Sequence, residues 1–217
     1  MRLGILGGTF NPIHKAHLQI AKDVLKTCGL DRVLFIPSAD PPHKPVDTSF
    51  PHRMAMVQAA IAGEPAFAAS DLEEQRGGKS YSVDTLRHLK RMDPAGERYF
   101  IIGLDSYRDL GSWKSCEKLF ELAHLVVMTR PGIEVDDPFS PLPVAVHRNF
   151  CYDSARKRMQ HSSGNSVIFL EETHLDISST KIRERVAAGL PIGHLVPAAV
   201  ADYISDHALY QPPGQGS

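Results

Sequence analysis

Short apolar runs alternate with amphipathic stretches along most of the chain, and that rhythm is the first guide to its architecture. Arg2-Leu3-Gly4-Ile5-Leu6 is suited to a buried strand. After a glycine turn, Leu18, Ala21 and Leu25 recur at i, i+3 and i+7 with Val24 alongside, which predicts a helix with one apolar face that begins near His14. The alternation continues through a strand over Arg32 to Pro37, a helix from Pro51 to Ala62, and a strand from Ala66 to Ala69. A helix from Ser82 to Arg91, a strand from Tyr99 to Gly103, a helix from Cys116 to Ala123 and a strand over Leu125 to Met128 complete the central part. The pattern then weakens. Glu134 to Pro143 reads as an acidic, proline-rich loop, Tyr152 to His161 as a short basic helix with Arg156-Lys157-Arg158 on its solvated face, and Val167 to Leu170 as a strand. The closing elements are a helix from Thr180 to Ala188 stopped by Gly189 and a helix from Pro197 to about His207, with proline at its first position. Strands alternating with helices predict a parallel sheet covered on both faces, an α/β fold in a single domain over 1–208, and 209–217 reads as a disordered tail.

Composition narrows the possibilities without choosing among them. At 217 residues the chain can bury a substantial core without disulfides or a structural metal. Lys and Arg total 24 against 25 Asp and Glu, a formal charge of −1, so nothing global points to nucleic acid or an anionic membrane. Three cysteines, Cys28, Cys116 and Cys151, lie far apart and outside any C-x-x-C pair, as expected for reduced thiols in a cytosol. No signal-peptide pattern and no run of membrane-helix length is present. A cytoplasmic protein is the expectation, and nothing in the composition excludes a homo-oligomer. The 11 histidines raise the question of a metalloprotein, but His14 and His17 lack nearby cysteines or a carboxylate partner and no H-E-x-x-H occurs, so no protein metal ligand is expected.

In parallel α/β sheets ligands bind beyond the carboxyl ends of the strands. The polar stretches after those ends are Ser38 to Ser49, Leu72 to Tyr81, Leu104 to Lys114 and Asp176 to Thr180, and the first strand runs directly into Gly7-Gly8-Thr9-Phe10-Asn11-Pro12-Ile13-His14-Lys15-Ala16-His17. Glycines here let the backbone turn where a Cβ would block a ligand, and His14 and His17, three apart, share a face in the first turn of the next helix, where free amides and the positive dipole end attract phosphate. The order fits neither G-x-G-x-x-G nor a P-loop. A second constellation, Ile177-Ser178-Ser179-Thr180-Lys181-Ile182-Arg183, places small hydroxyls at a helix start and a guanidinium one turn on, with Thr180 and Arg183 on one face. Taken alone it reads as an ordinary helix cap.

Together the two segments resemble the (H/T)-x-x-H and I-S-S-T-x-I-R signatures of the nucleotidyltransferases with a Rossmann-like core. The middle of the chain sharpens the resemblance. Pro41-Pro42-His43-Lys44, Arg76-Gly77-Gly78-Lys79-Ser80-Tyr81-Ser82-Val83-Asp84-Thr85-Leu86, Ile101-Ile102-Gly103-Leu104-Asp105-Ser106, Trp113, Arg130-Pro131-Gly132 and Leu195-Val196-Pro197 are similar, in order and spacing, to those of the bacterial nicotinate-nucleotide adenylyltransferases. Leu104 and Lys114 depart from what is common at their positions. The resemblance implies a Rossmann-like, doubly wound parallel sheet and transfer of the adenylyl group of ATP to nicotinic acid mononucleotide in NAD biosynthesis, by direct in-line attack with pyrophosphate leaving. Mg2+ would be carried in with ATP. His14, His17 and Arg183 would be catalytic. ATP would be held by Gly7, Gly8, Thr9, Phe10, His14, His17, Gly103, Asp105, Ser179, Thr180 and Arg183. The acceptor would be held by Asn11, Lys44, Asp84, Thr85, Trp113, Lys114 and Arg130. Ser82 is a good N-cap, which would put Thr85 in a first turn whose amides favour a carboxylate over an amide, and Trp113 offers an aromatic face to a cationic pyridinium ring. Transfer to phosphopantetheine or glycerol phosphate, and nucleotide sensing without turnover, are the rival readings.

Overall fold

The computed structural model describes residues 1–42, 46–130, 132, 135, 137–155, 158–171, 173 and 175–212. Among them, eight strands form one sheet in the order β3-β2-β1-β4-β5-β8-β7-β6. The strands are β1 Arg2–Gly8, β2 Arg32–Pro37, β3 Phe67–Ala69, β4 Glu97–Gly103, β5 His124–Thr129, β6 Phe150–Asp153, β7 Arg158–His161 and β8 Ser166–Glu171. From β3 to β8 neighbours pair in parallel, and β7 and β6 then run antiparallel. The sheet is therefore mixed at one edge. The cause is the segment read from sequence as a basic helix, Tyr152 to His161, which instead forms the β6–β7 hairpin. Phe150 opposite His161 and Met159 opposite Val167 give it a buried face, which outweighs the modest helical tendency of its charged residues. Arg156 and Lys157 of the expected basic face lie outside the described residues.

Nine helices are assigned among the described residues: α1 Lys15–Thr27, α2 Phe50–Ile61, α3 Leu72–Arg76, α4 Ser82–Met92, α5 Leu104–Arg108, α6 Cys116–Leu122, α7 Val144–His147, α8 Ser179–Ala187 and α9 Ala198–Asp206. Alternate residues of each central strand face opposite layers, as a pleated strand requires. Ile5, Phe100, Ile102, Leu125 and Val127 meet Val83, Leu86, Leu119 and Phe120 from α4 and α6 on one side. Leu6, Tyr99, Ile101, Val126 and Met128 meet Ala21, Val24, Met56, Val57, Ile182 and Val200 from α1, α2, α8 and α9 on the other. These are two dry layers with a sheet buried on both faces, the arrangement in which near-continuous apolar strands are stable.

The strand order reverses between β1 and β4, and their carboxyl ends open the crevice where such sheets bind ligands. None of the helices among the described residues is long and apolar enough to cross a membrane. Of the segment expected to be a tail, Leu209 and Tyr210 pack against the second core layer, and 213–217 lie outside the described residues.

Candidate active site

A cavity of about 470 Å3 occupies the β1/β4 crevice, within the range typical of small-ligand sites. Its floor is the ends of β1 and β4, its near wall carries Gly7, Gly8, Thr9 and His17, and its far wall carries Ser82, Thr85, Trp113 and Lys114. Gly103 and Ser106 line it where β4 passes into α5. Two motifs far apart in sequence thus face one volume.

The glycines differ from the sequence expectation in how they act. Gly7 and Gly8 are the last residues of β1, and neither has a positive φ; the left-handed residue is Phe10, with φ 46°. The turn is thus made after the glycines, and their use is to leave the cavity wall bare of side chains. Phe10 is held in its strained conformation by burial, packing edge-on against the His17 ring at 5.1 Å and against Phe35 at 6.0 Å.

Around this turn a second set of residues is tied by hydrogen bonds. The Arg183 Nη1 donates to the Asn11 carbonyl at 2.8 Å, Ser179 Oγ to the Pro12 carbonyl at 2.9 Å, and Arg183 Nη2 reaches Thr180 Oγ1 at 3.4 Å. Ser178, not Ser179, caps α8, accepting from the Lys181 N–H at 3.2 Å. The carbonyl of Leu195 accepts from the Lys15 N–H at 3.0 Å, so the Leu195-Val196-Pro197 motif closes the same corner. Two residues not singled out from sequence complete it. Arg53, 2% exposed, donates to the carbonyls of Thr9 and Ser38 at 2.8 Å each and to Thr48 at 3.1 Å. Tyr210 donates to Asn11 Oδ1 at 2.7 Å, and burial pushes its phenol up to about 12. Arg53 had a signal in the sequence, since it falls on the same helical face as Met56 and Val57. Tyr210 had none.

His14 is the N-cap of α1 rather than its first residue, and His17 is its third helical residue. The two rings stack at 3.7 Å. His17 Nδ1 accepts from the His14 N–H at 3.3 Å, which assigns the His17 proton to Nε2 and makes that nitrogen a donor. Because the amides of His14, Lys15 and His17 are already engaged with His17, Leu195 and His14, this end of α1 presents imidazoles rather than a row of free amides. Burial lowers His14 to about 4 and, together with the neighbouring His14, holds His17 well below its ordinary value. Both are neutral at pH 7. Because the folded state binds their protons less readily than the unfolded chain does, stability is full above about pH 6.5 and falls as pH drops from there toward 4. Unfolding free energies from urea titrations between pH 7 and pH 4.5 should fall with a slope of up to about 1.4 kcal/mol per pH unit from His14, and His14→Asn should flatten that slope.

At the far wall the N-cap of α4 is Tyr81 and Ser82 is the first helical residue, so the helix starts one position earlier than a cap at Ser82 implies. The Asp84 and Thr85 amides both turn back to the Tyr81 carbonyl. Trp113 meets Phe100 edge-on at 6.3 Å. Lys114 lies over the Tyr81 ring at 4.4 Å and reaches Asp84 at 2.9 Å; that bond, with Arg87 at 3.2 Å, keeps the Asp84 carboxyl below its usual range. Asp84 thus faces Lys114 and Arg87 rather than the cavity. Ser80 Oγ accepts from the Ala39 and Asp40 amides and so pins the β2 loop to this wall.

Several expected residues stand apart from the cavity. Asp105 has its side chain 87% exposed and pairs with Arg108 at 3.4 Å, leaving Ser106 as the lining residue of that turn. Arg130 is exposed beyond β5, and Lys44 lies outside the described residues. Among the described residues no group of three His, Cys, Asp or Glu is placed to hold a metal ion.

A glycine turn beside paired imidazoles, on a mostly parallel sheet and facing an aromatic wall, agrees with a nucleotidyltransferase; the family model described as Cytidylyltransferase-like matches residues 5–185. The chain is 58% identical over 213 residues to the "Probable nicotinate-nucleotide adenylyltransferase" of Syntrophotalea carbinolica, covering 97% of this chain and 98% of that one. It is 52% identical over 216 residues to the protein of the same name from Geobacter sulfurreducens, covering 99% and 100%. The fold is shared with a nicotinic acid mononucleotide adenylyltransferase of Plasmodium falciparum complexed with NaAD, at TM-score 0.73 and 21% identity over 96% of this chain and 97% of that one. The chain belongs to the nicotinate-nucleotide adenylyltransferase family.

Proposed function

We propose that this protein joins the adenylyl group of ATP to nicotinic acid mononucleotide, releasing pyrophosphate. The observation that carries this reading is the cavity itself, which sets His17 and the bare Gly7-Gly8 wall across from Thr85, Trp113 and Lys114. The acceptor phosphate is already an anion at neutral pH, so no protein nucleophile or general base is needed; the task is positioning and charge neutralisation. His17 donates from Nε2 to a phosphate oxygen, and Arg183, anchored on Asn11, supplies positive charge beside the turn. A divalent cation enters in this reading with the triphosphate as part of the substrate, and no step is assigned to it.

Asn11, Ser179 and Arg53 act by shaping the turn, since their polar atoms are engaged with protein partners. In this reading Asp105, Arg130, Thr180 and Asp84, none of which lines the cavity, act as surface or supporting groups. Trp113 is the single tryptophan, which makes it both ring platform and reporter. Stacking on a cationic ring is worth about 0.5–2 kcal/mol. Trp113→Ala should therefore raise KM for the acceptor roughly 2- to 30-fold while KM for ATP stays within about twofold. Steady-state kinetics with each substrate varied in turn checks this. The reading as a whole is tested by pyrophosphate release from Mg-ATP with nicotinic acid mononucleotide, nicotinamide mononucleotide or phosphopantetheine. Release with the first confirms it, release only with the last overturns the acceptor, and binding of ATP without release with any of them overturns catalysis.

A further inference from the structure

Behind the far wall of the cavity lies a charged cluster that none of these roles uses. Glu73, on α3, is 6% exposed yet lines the cavity. Its Oε1 accepts the Thr85 hydroxyl at 2.6 Å, and the Thr85 oxygen accepts from Arg76 Nη1 at 3.0 Å. The remaining carboxylate oxygen, Glu73 Oε2, and the remaining terminal nitrogen, Arg76 Nη2, are both buried without a hydrogen-bond partner. Half of a buried anion is left unsatisfied at the wall of a ligand cavity, and a guanidinium nitrogen linked to it through Thr85 is left unsatisfied behind that wall. Such groups are costly unless something pairs with them.

The bonding also changes what Thr85 can offer. A hydroxyl carries one proton, and this one is donated to Glu73. Toward the cavity Thr85 therefore presents a lone pair, which suits the N–H of a carboxamide and repels a carboxylate. Selection of a carboxylate then falls to the other donors and charges of this wall. The neighbouring cation on this wall, Lys114, is already paired with Asp84, so the balance between Glu73 and Arg76 is the quantity left to set.

We propose that Glu73 and Arg76, joined through Thr85, are the specificity-determining pair of the acceptor site, and that their net charge decides between an acid and an amide on the pyridine ring. The inference rests on the acceptor reading above. Both act through Thr85 and the local field as positioning residues. In the wild-type chain the pair is balanced at zero, Arg76 drawing the carboxylate in and Glu73 fixing the Thr85 hydroxyl and the guanidinium. Removing Arg76 leaves an uncompensated buried carboxylate facing a second one. At separations of several ångströms in a partly buried site, one such charge is worth on the order of tenfold or more in binding.

The test is a charge series measured with both pyridine mononucleotides: wild type (balanced), Glu73→Gln (one positive), Arg76→Met (one negative) and the double variant (neutral). The readout is the ratio of kcat/KM for the nicotinate over the nicotinamide acceptor, with KM for ATP alongside and acceptor binding followed by Trp113 fluorescence. We expect the ratio to fall at least about tenfold in Arg76→Met, through KM of the nicotinate acceptor and with KM for ATP unchanged. It should be equal to or above wild type in Glu73→Gln and recover in the double variant. A purely structural pair would lower both acceptors and ATP together, and that result, or a ratio indifferent to the sign of the charge, overturns the proposal. Should Arg76→Met not fold, Arg76→Gln supplies the same one-negative state, and Arg76→Lys, which keeps the cation, should hold the ratio near wild type. Wild-type enzyme inactive with both pyridine acceptors would instead overturn the acceptor reading, and the pair's role with it.

Discussion

His17→Ala should lower turnover by about 100- to 1,000-fold while leaving the folded state largely intact. The magnitude follows from removing one preorganised donor aimed at developing phosphate charge in a site shielded from water. The geometry allows a finer experiment, because the two ring nitrogens have separate duties: Nδ1 takes the His14 amide, which leaves Nε2 as the donor. Asparagine places an amide near the Nδ1 position, and glutamine near the Nε2 position. His17→Asn should therefore keep the melting temperature and lose the rate, whereas His17→Gln should lose some stability, up to about 1 kcal/mol, and retain more of the rate than asparagine does. Single-turnover kinetics with thermal melts separates the two. If His17→Asn turned over like wild type, Nε2 would not be the phosphate donor.

The largest effect on stability is expected at Arg53. This guanidinium is buried with no ion pair among the described residues, and three backbone carbonyls, from Thr9, Ser38 and Thr48, take its protons. Arg53→Met keeps much of the stem and its packing but strands those carbonyls. Hydrogen bonds to a charged donor are worth about 1.5–3 kcal/mol each, and not all three are lost independently, so a loss of about 3–5 kcal/mol is expected. In a domain of this size that corresponds to a melting point lower by about 10 °C. The same change loosens Thr9, on the cavity wall, so activity measured well below the new melting point should fall as well. Unchanged stability in Arg53→Met would mean that water replaces the guanidinium at the carbonyls.

The central sheet was legible because strand and helix periods are strong where both faces are buried. The runs at Ile5, Phe100 and Leu125 could be nothing but interior strands, and the helical spacing at Leu18, Ala21 and Leu25 was unambiguous. The edge was not legible. β6 is mostly exposed and β7 carries a single apolar residue, Met159, so the strand alternation is too short to read, and the basic run between them imitates a helix. At the site, the two end motifs and Trp113 were readable as residue types in a fixed order. What the order does not reveal is which polar atoms are already used. Asn11, Ser179 and Thr85 look like ligand contacts in sequence, yet Tyr210, Pro12 and Glu73 claim their hydrogen-bonding atoms. Arg53 was findable from its helical phase. Glu73, in the first turn of a five-residue helix, and Tyr210, beyond the last helix, owe their places to tertiary contacts alone.

The turn at Thr9 to Pro12 is held by partners that lie 44, 167, 172 and 199 residues farther along: Arg53, Ser179, Arg183 and Tyr210. Such contacts close long loops, and their entropy must be met before they return any stabilisation. During synthesis the two histidines leave the ribosome among the first residues, whereas three of the four groups that fix their surroundings, Ser179, Arg183 and Tyr210, come near the end of the chain. A chain stopped before α8 would carry the recognisable motif yet keep only Arg53 of the clamps that set its geometry. Catalytic competence in this protein is therefore a late property of biogenesis, and an active molecule is one whose two ends have already met.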